Sequence, residues 1–170
     1  GGDITTGLVS VDTDITMKNR IFLDVGTNGE MAIQKGNELT LCATAAGPAF
    51  EGAQIKFGLP GIDGAINRVS IDKDKIVCGT IGDKQAKGFS GSGIINAIAT
   101  MLEIGAIDET GRIIDDDEFE DKFACFSKNI QIIDDSNIFM LDETNNIYIT
   151  QKDVREVQLA KSAICAGILT

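Results

Sequence analysis

Arg20–Gln34 reads RIFLDVGTNGEMAIQ, with an apolar run on each side of a short polar segment. Two alternating runs separated by a glycine-containing break are typical of a strand, a tight loop and a second strand. Asp24 lies at the end of the first predicted strand. Gly26 and Gly29 would permit positive φ and bring backbone N–H groups close to a bound anion. This stretch therefore predicts a strand–loop–strand unit with features of an anion site.

The side chains of this loop favour a metal-bound nucleotide. Thr27 and Asn28 add hydroxyl and amide donors. The Asp24 carboxylate would repel a phosphate unless a divalent cation lay between them, so we expect Mg²⁺ to be held by Asp24 directly or through water. An ordinary β-hairpin with Asn28-Gly29 at its turn explains the same residues equally well. The loop alone leaves both interpretations open.

Length and charge restrict the classes of function. A chain of 170 residues can bury a sizeable core in one domain. It has 15 basic and 26 acidic residues, a net charge of −11, which disfavours binding to nucleic acid or to anionic lipid. No apolar run approaches the roughly 18 residues of a membrane span. We expect neither nucleic acid nor membrane as a partner.

The cysteines and the lack of histidine restrict the chemistry further. Four cysteines are scattered along the chain, with no C-x-x-C pair, and the chain contains no histidine. Clustered zinc or iron–sulfur ligands are therefore not expected in this stretch, nor are Ser-His or Cys-His nucleophile pairs. Buried free thiols in a reducing cytoplasm are the simplest interpretation. Any chemistry must use carboxylates, backbone amides, hydroxyls and a metal.

The chain after the predicted hairpin continues as a sheet and then a short helix. Leu39–Thr44 predicts a third strand that completes an antiparallel meander. Gly47 breaks that strand, and Pro48 fits the first position of a short helix. Glu51 then falls in the first helical turn, where a carboxylate suits the helix dipole. Glu51 could also position water or metal, and the sequence does not separate these two roles.

Two further strands, a glycine-rich turn and a helix follow. Ala65–Ile71 and Ile76–Ile81 alternate as strands. Gly88–Gly93 reads GFSGSG and leads into an apolar helix over Ile94–Ile104, with Ser90 or Ser92 as its N-cap. Such a helix start can bind an anion. A capped core helix whose glycines allow close packing is the simpler interpretation.

The C-terminal segment predicts a strand and a long helix. Ile147–Thr150 reads as a strand, and the residues from Thr150 to the end repeat apolar positions at helical spacing. Thr150 and Asp153 match the spacing of a capping box. The first turn carries four polar side chains that could lie on the surface or line a cleft: Gln151, Lys152, Asp153 and Arg155.

Four segments occur in order across nearly the whole chain: Asp24–Glu30, Ala45–Ala53, Gly88–Gly93 and Ile149–Lys161, of which the last is the most specific. Together they resemble one family, the reductive activators of corrinoid proteins. By this resemblance the chain is an α/β lobe of the actin, sugar-kinase and chaperone superfamily, with a ribonuclease H-like fold. We expect a mixed β-sheet containing an antiparallel meander, with helices packed on it.

The resemblance also implies the function and the domain organisation. Such proteins bind ATP between two lobes and help an iron–sulfur domain return cob(II)alamin to cob(I)alamin. The iron–sulfur cluster and a first phosphate loop would lie upstream, so residues 1–170 would form a single domain that is part of the second lobe. We expect ATPase activity only from the full-length protein. The implied partner is a corrinoid protein or its methyltransferase system, and a homodimer is compatible with this reading.

Two alternatives remain at this point: a non-catalytic docking or dimerisation lobe, and a small-molecule kinase of the same superfamily. Asp24 and Glu51 are the catalytic candidates. The predicted phosphate site comprises Asp24, Gly26, Thr27, Asn28 and Gly29. A further set is predicted to line a cleft: Glu30, Gly47, Ser90, Gly91, Ser92, Gly93, Gln151, Lys152, Asp153 and Arg155.

Overall fold

The computed structural model describes residues 2–10 and 19–170. The chain divides into two compact units, the first formed by Gly1–Pro48 with Leu159–Thr170 and the second by Ala49–Gln158. The expectation that residues 1–170 form one domain of a larger lobe stays a prediction. Among the helices of the described ranges, none combines the length and the apolar character needed to cross a membrane.

The first unit is built on an antiparallel three-stranded sheet. Its strands are β1 (Arg20–Val25), β2 (Gly29–Lys35) and β3 (Glu38–Thr44), in the order β1-β2-β3. Lys35 pairs with Glu38, so β2 and β3 are joined by a two-residue turn with Gly36 at φ +59°. The predicted meander is confirmed.

One helix packs on each face of this sheet. Helix α1 (Gly2–Ser10) contacts β1, and Gly7 lies directly against the Phe22 ring. Helix α3 (Gln151–Leu169) contributes its last turns to the other face. A Cβ added at Gly167 would lie 2.6 Å from Met31 Cε and 2.6 Å from Thr44 Cγ2. This glycine therefore sets how closely α3 approaches the strands.

The second unit contains two three-stranded sheets and one long helix. The first sheet has the order β5-β4-β6, with β5 antiparallel and β6 parallel to β4, and the second sheet has the antiparallel order β7-β8-β9. Helix α2 packs on β4. The bounds are β4 Ala65–Asp72, β5 Lys75–Thr80, β6 Gly88–Phe89, α2 Gly91–Glu103, β7 Ile130–Ile133, β8 Ser136–Asp142 and β9 Ile147–Thr150.

The described part of the chain also contains three 3-10 helices: Pro48–Glu51, Ile81–Asp83 and Asp121–Asn129. The first confirms the predicted short helix at Pro48, while Asp121–Asn129 was not predicted. The core of the second unit includes Phe89 and Phe139, both almost fully buried, together with the apolar face of α2.

All four cysteines are free, as predicted, but they are less buried than expected. Cys42, Cys78 and Cys125 are half-buried and Cys165 is exposed. Burial raises the pKa of the Cys78 thiol to about 11, so this group is a neutral thiol at physiological pH. The prediction of buried cysteines is therefore wrong for Cys165, which lies on α3.

Candidate functional site

The predicted phosphate loop connects β1 to β2 as a three-residue hairpin loop. Val25 pairs with Gly29, so Gly26, Thr27 and Asn28 form the connection. Gly26 N–H donates to the Asn28 carbonyl at 3.1 Å. The side chains of Thr27 and Asn28 are exposed. The predicted strand–loop–strand unit is confirmed, and its two polar donors lie where a ligand can reach them.

A second backbone bond ties this loop to the end of β3. Gly47 N–H donates to the Thr27 carbonyl at 2.9 Å, and Gly47 has φ +78°. Glycine adopts this left-handed backbone without the steric cost that a side chain would bring. Gly47 was predicted only as a strand breaker and a cleft residue. The structure shows that it also holds the loop in place.

Two details of the loop prediction are wrong. Neither Gly26 nor Gly29 has a positive φ. A Cβ at Gly29 would lie 2.8 Å from Thr44 Oγ1 and 3.2 Å from Ile164 Cγ1, so packing explains the glycine there. The alternative of a two-residue Asn28-Gly29 turn is also wrong, because Gly29 is already the first residue of β2. The Gly26 N–H is used within the loop and is not available to an anion.

Two carboxylates flank the loop on one face of the hairpin. Asp24 and Glu30 are direct cross-strand partners, and both are half-buried. Within the described ranges, the Asp24 carboxylate makes neither a hydrogen bond nor an ion pair with any other residue. A carboxylate that lacks a partner among the described residues can serve as a ligand to a cation, and Asp24 therefore fits a magnesium ion.

The number of protein ligands also fits magnesium. Among the described residues, no three His, Cys, Asp or Glu side chains converge into a metal-binding group. Magnesium commonly uses one or two carboxylates and completes its shell with water and phosphate oxygens. Asp24 supplies one such carboxylate. Glu51 is exposed in its 3-10 helix in the second unit, and its role beside a phosphate stays a prediction.

The glycine-rich start of α2 is shaped by packing. Ser90 is the N-cap: its Oγ accepts from Gly93 N–H at 3.2 Å and lies 3.0 Å from the Ile66 carbonyl, to which it donates. A Cβ at Gly91 would collide with the Phe50 carbonyl, and one at Gly93 with the Ile66 carbonyl. The interpretation as a capped core helix is confirmed. Anion binding at this start, with Ser92 exposed beside it, stays a prediction.

The capping box at the start of α3 is confirmed. Asp153 Oδ2 accepts from Thr150 N–H at 2.8 Å and from Thr150 Oγ1 at 2.7 Å, and Thr150 Oγ1 accepts from Asp153 N–H at 3.1 Å. Asp153 Oδ1 also accepts from Lys56 N–H at 2.8 Å. Asp153 is 1% exposed. Its carboxylate is thus satisfied by the protein, and it joins two segments far apart in the sequence.

Two other residues of this helix start bind the loop that follows α2. Gln151 Oε1 accepts from Ile113 N–H at 2.8 Å, and Gln151 Nε2 donates to the Gly111 carbonyl at 2.7 Å. Arg155 Nη1 donates to the Thr110 carbonyl at 2.7 Å. Most of the polar side chains that were predicted to line a cleft therefore make hydrogen bonds within the protein.

Part of this cluster nevertheless lines a groove within the second unit. Gln151, Lys152 and Asp153 border a groove of about 440 Å³, together with Lys56 and Tyr148. Sequence reasoning did not identify Lys56 or Tyr148. Lys56 lies in an irregular segment distant in sequence from α3, and no local pattern marks it as a neighbour of that helix. The groove is a second candidate site.

The fold described above is that of an ASKHA domain, the actin-like ATPase class. A family model described as the C-terminal domain of RACo, the ASKHA domain, matches residues 18–170. The chain belongs to this family. The predicted fold class and the predicted family are both confirmed.

Curated relatives and a solved structure agree with this assignment. The corrinoid activation enzyme RamQ of Eubacterium limosum is 39% identical over 175 residues, which cover 98% of this chain and 29% of RamQ. The Co(II) methylated amine-specific corrinoid protein reductase of Methanosarcina barkeri is 29% identical over 192 residues, covering 100% of this chain and 31% of the reductase.

The solved structure is described as a reductive activator for corrinoid, iron-sulfur protein. It superposes with a TM-score of 0.85 at 35% identity, covering 99% of this chain and 27% of that chain. This chain therefore spans less than a third of the length of each of these proteins.

Proposed function

We propose that this chain is part of the ATP-binding domain of a protein that reductively reactivates corrinoid proteins. The observation that carries the proposal is the β1–β2 hairpin. There a half-buried carboxylate, with no partner among the described residues, lies beside an exposed hydroxyl and an exposed amide. The relatives support the choice of substrate, since their names place them in corrinoid activation and corrinoid protein reduction.

In this proposal the hairpin grips the terminal phosphates of ATP. The Thr27 hydroxyl and the Asn28 amide donate to phosphate oxygens, and Asp24 holds Mg²⁺ directly or through water. The ion, when bound, neutralises phosphate charge and makes the phosphorus more electrophilic. The Gly47–Thr27 backbone bond keeps the loop in one conformation, which lowers the entropic cost of binding. Glu51 is retained as a candidate for orienting the attacking water.

ATP would be coupled to reduction through a difference between nucleotide states. The γ-phosphate is present only before hydrolysis, so a lobe arrangement that contacts it is favoured by ATP and not by ADP. We propose that this difference changes the affinity for the corrinoid protein. The electron that converts cob(II)alamin to cob(I)alamin would come from an iron–sulfur centre outside this chain. Four free thiols are consistent with a reducing cytoplasm.

The hairpin is tested by substituting Asp24 in the full-length protein. We expect Asp24→Ala to weaken Mg²⁺–ATP binding at least about tenfold, because the metal loses its protein ligand. The matched control is Asp116→Ala, which removes an exposed carboxylate from a surface loop. Titration calorimetry and phosphate release measure affinity and turnover. Unchanged values in Asp24→Ala would overturn the assignment of this site.

The same experiment separates the alternatives. A wild-type protein that binds no Mg²⁺–ATP would favour a docking lobe, and phosphate transferred to a small acceptor would favour a kinase. The coupling is tested by measuring the affinity of the corrinoid protein with ATP and with ADP. Equal affinities and rates in both states would overturn it. Sedimentation of the full-length protein tests whether it forms a homodimer.

A further inference from the structure

The groove in the second unit has the dimensions of a small-molecule site. Its volume of about 440 Å³ lies within the range typical of ligand pockets. Its polar lining comes from three separate segments: the chain before β4, the β7–β8 turn, and β9 with the start of α3. These segments contribute Lys56, Asp134, Ser136, Tyr148 and Lys152.

The groove is less acidic than the chain as a whole, because its two lysines balance its two aspartates. The whole chain carries −11, yet Lys56 and Lys152 both line the groove. The groove also contains two carboxylates, but Asp153 is buried and accepts hydrogen bonds from Lys56 N–H and from Thr150. Only Asp134 opposes the two lysines with an exposed carboxylate. The groove therefore presents two exposed ammonium groups against one exposed carboxylate, on a chain whose net charge is negative.

Lys56 is positioned before any ligand arrives. Its ammonium lies 4.8 Å from the centroid of the Tyr148 ring, and Phe57 meets the same ring edge-on at 4.9 Å. Its backbone N–H is bound by Asp153 at 2.8 Å. The pKa of Lys56 is raised, mainly by its interaction with Tyr148. The ammonium is thus charged at neutral pH and is partly ordered, which reduces the entropy lost on binding.

The remaining walls are apolar. Ile133 and Ile138 line the groove, and Ile138 packs with Tyr148 in a small hydrophobic cluster. We propose that this groove binds a small organic anion, with its acidic group between Lys56 and Lys152 and its apolar part against Ile133 and Ile138. The Ser136 hydroxyl offers an additional hydrogen bond. A carboxylate and a phosphate monoester share the required chemistry. This inference does not depend on the function proposed above.

The test uses two amphiphilic anions and the full-length protein. Hexanoate and butyl phosphate each combine an apolar tail with an acidic group, and 1-hexanol supplies a tail without charge. Saturation-transfer NMR detects binding on the ligand. We expect one or both anions to bind in the millimolar range or tighter, and hexanol at least about tenfold more weakly. The two anions distinguish a carboxylate site from a phosphate site.

Variants assign the binding to the groove. We expect the double variant Lys56→Gln/Lys152→Gln to weaken anion binding at least about tenfold, and Asp134→Asn to strengthen it about two- to fivefold by removing the opposing charge. Lys84→Gln removes an exposed lysine outside the groove and should change nothing. Asp24→Ala should also leave this binding unchanged, which separates it from the phosphate loop. Thermal unfolding confirms that each variant is folded.

Three results would overturn the inference. The first is that neither anion shows binding at a ligand concentration about ten times the millimolar dissociation constant expected for a weak site. The second is that hexanol binds as well as the anions do. The third is that the double lysine variant, while folded, binds them as well as the wild type.

Discussion

Asp24 and Asp153 are the same residue type in two parts of the molecule, and their surroundings differ completely. Asp153 is 1% exposed and accepts hydrogen bonds from Lys56 N–H and from the backbone and hydroxyl of Thr150. Asp24 is half-buried, faces Glu30 across the hairpin and has no partner among the described residues. A carboxylate satisfied by its own chain contributes to stability. One left without a partner is available to bind a ligand.

The largest expected effect is on Asp153. Asp153→Ala removes the helix cap and leaves the Lys56 N–H without its acceptor, so we expect the free energy of unfolding to fall by about 3 kcal/mol. Chemical denaturation of the full-length protein measures it. Asp153→Asn keeps one acceptor oxygen and should lose about half as much. A loss below about 0.5 kcal/mol in Asp153→Ala would contradict the structural role.

An intermediate effect on stability is expected at Gly29, which pairs with Val25 next to Asp24. The added methyl of Gly29→Ala would lie 2.8 Å from Thr44 Oγ1 and 3.2 Å from Ile164 Cγ1, and we expect a loss of about 1–2 kcal/mol. The double variant Gly29→Ala/Thr44→Ala relieves the closer contact and should recover part of that stability in the same denaturation experiment. If the double variant is less stable than the sum of the two single changes, packing does not explain this glycine.

A small effect on stability is expected at Asp24 itself. Asp24→Asn keeps the size of the side chain and breaks no hydrogen bond to a described residue, so the free energy of unfolding without nucleotide should change by less than about 0.5 kcal/mol. The same variant should still weaken Mg²⁺–ATP binding. Denaturation and nucleotide titration of one preparation measure both quantities. A large loss of stability without loss of binding would show that Asp24 has a structural role and would contradict its assignment as a ligand-binding residue.

The smallest effect concerns a third environment, the exposed network around Arg112. Hydrogen bonds from Thr110 and Arg112 lower the pKa of Asp108 to about 2, and Arg112 lowers the pKa of Glu118 to about 2. Their stabilising contribution is therefore complete above the ordinary carboxyl pKa near 4 and is lost as the pH falls through about 2. Solvent exposure keeps this contribution small.

Arg112→Ala should flatten the dependence of stability on pH between about 4 and 2. The control is Lys122→Ala, which removes the exposed contact with Glu120 at 3.0 Å and should leave that dependence unchanged. Acid titration of unfolding measures both variants. An identical acid dependence in wild type and Arg112→Ala would contradict the assignment of the lowered pKa values to this network.

Local patterns in the sequence were sufficient for much of the fold. The β1–β2–β3 meander follows from alternation, and the Ser90 and Thr150–Asp153 caps follow from residue type and spacing. The role of Gly29 was mispredicted because its nearest contacts include Ile164, from the far end of the chain. The groove was missed for the same reason, since Lys56 and Asp153 are 97 residues apart. Sequence reasoning failed where packing between distant segments determines the role of a residue.

Because Gly47 N–H donates to the Thr27 carbonyl, hydrogen exchange at Gly47 can report nucleotide binding at the loop without an attached label. An amide hydrogen held this way exchanges with deuterated solvent only when the bond opens. The exchange rate at Gly47 therefore records how often this hydrogen bond opens. A nucleotide that stabilises the bonded conformation of the loop would slow this exchange, although Gly47 itself need not touch the ligand.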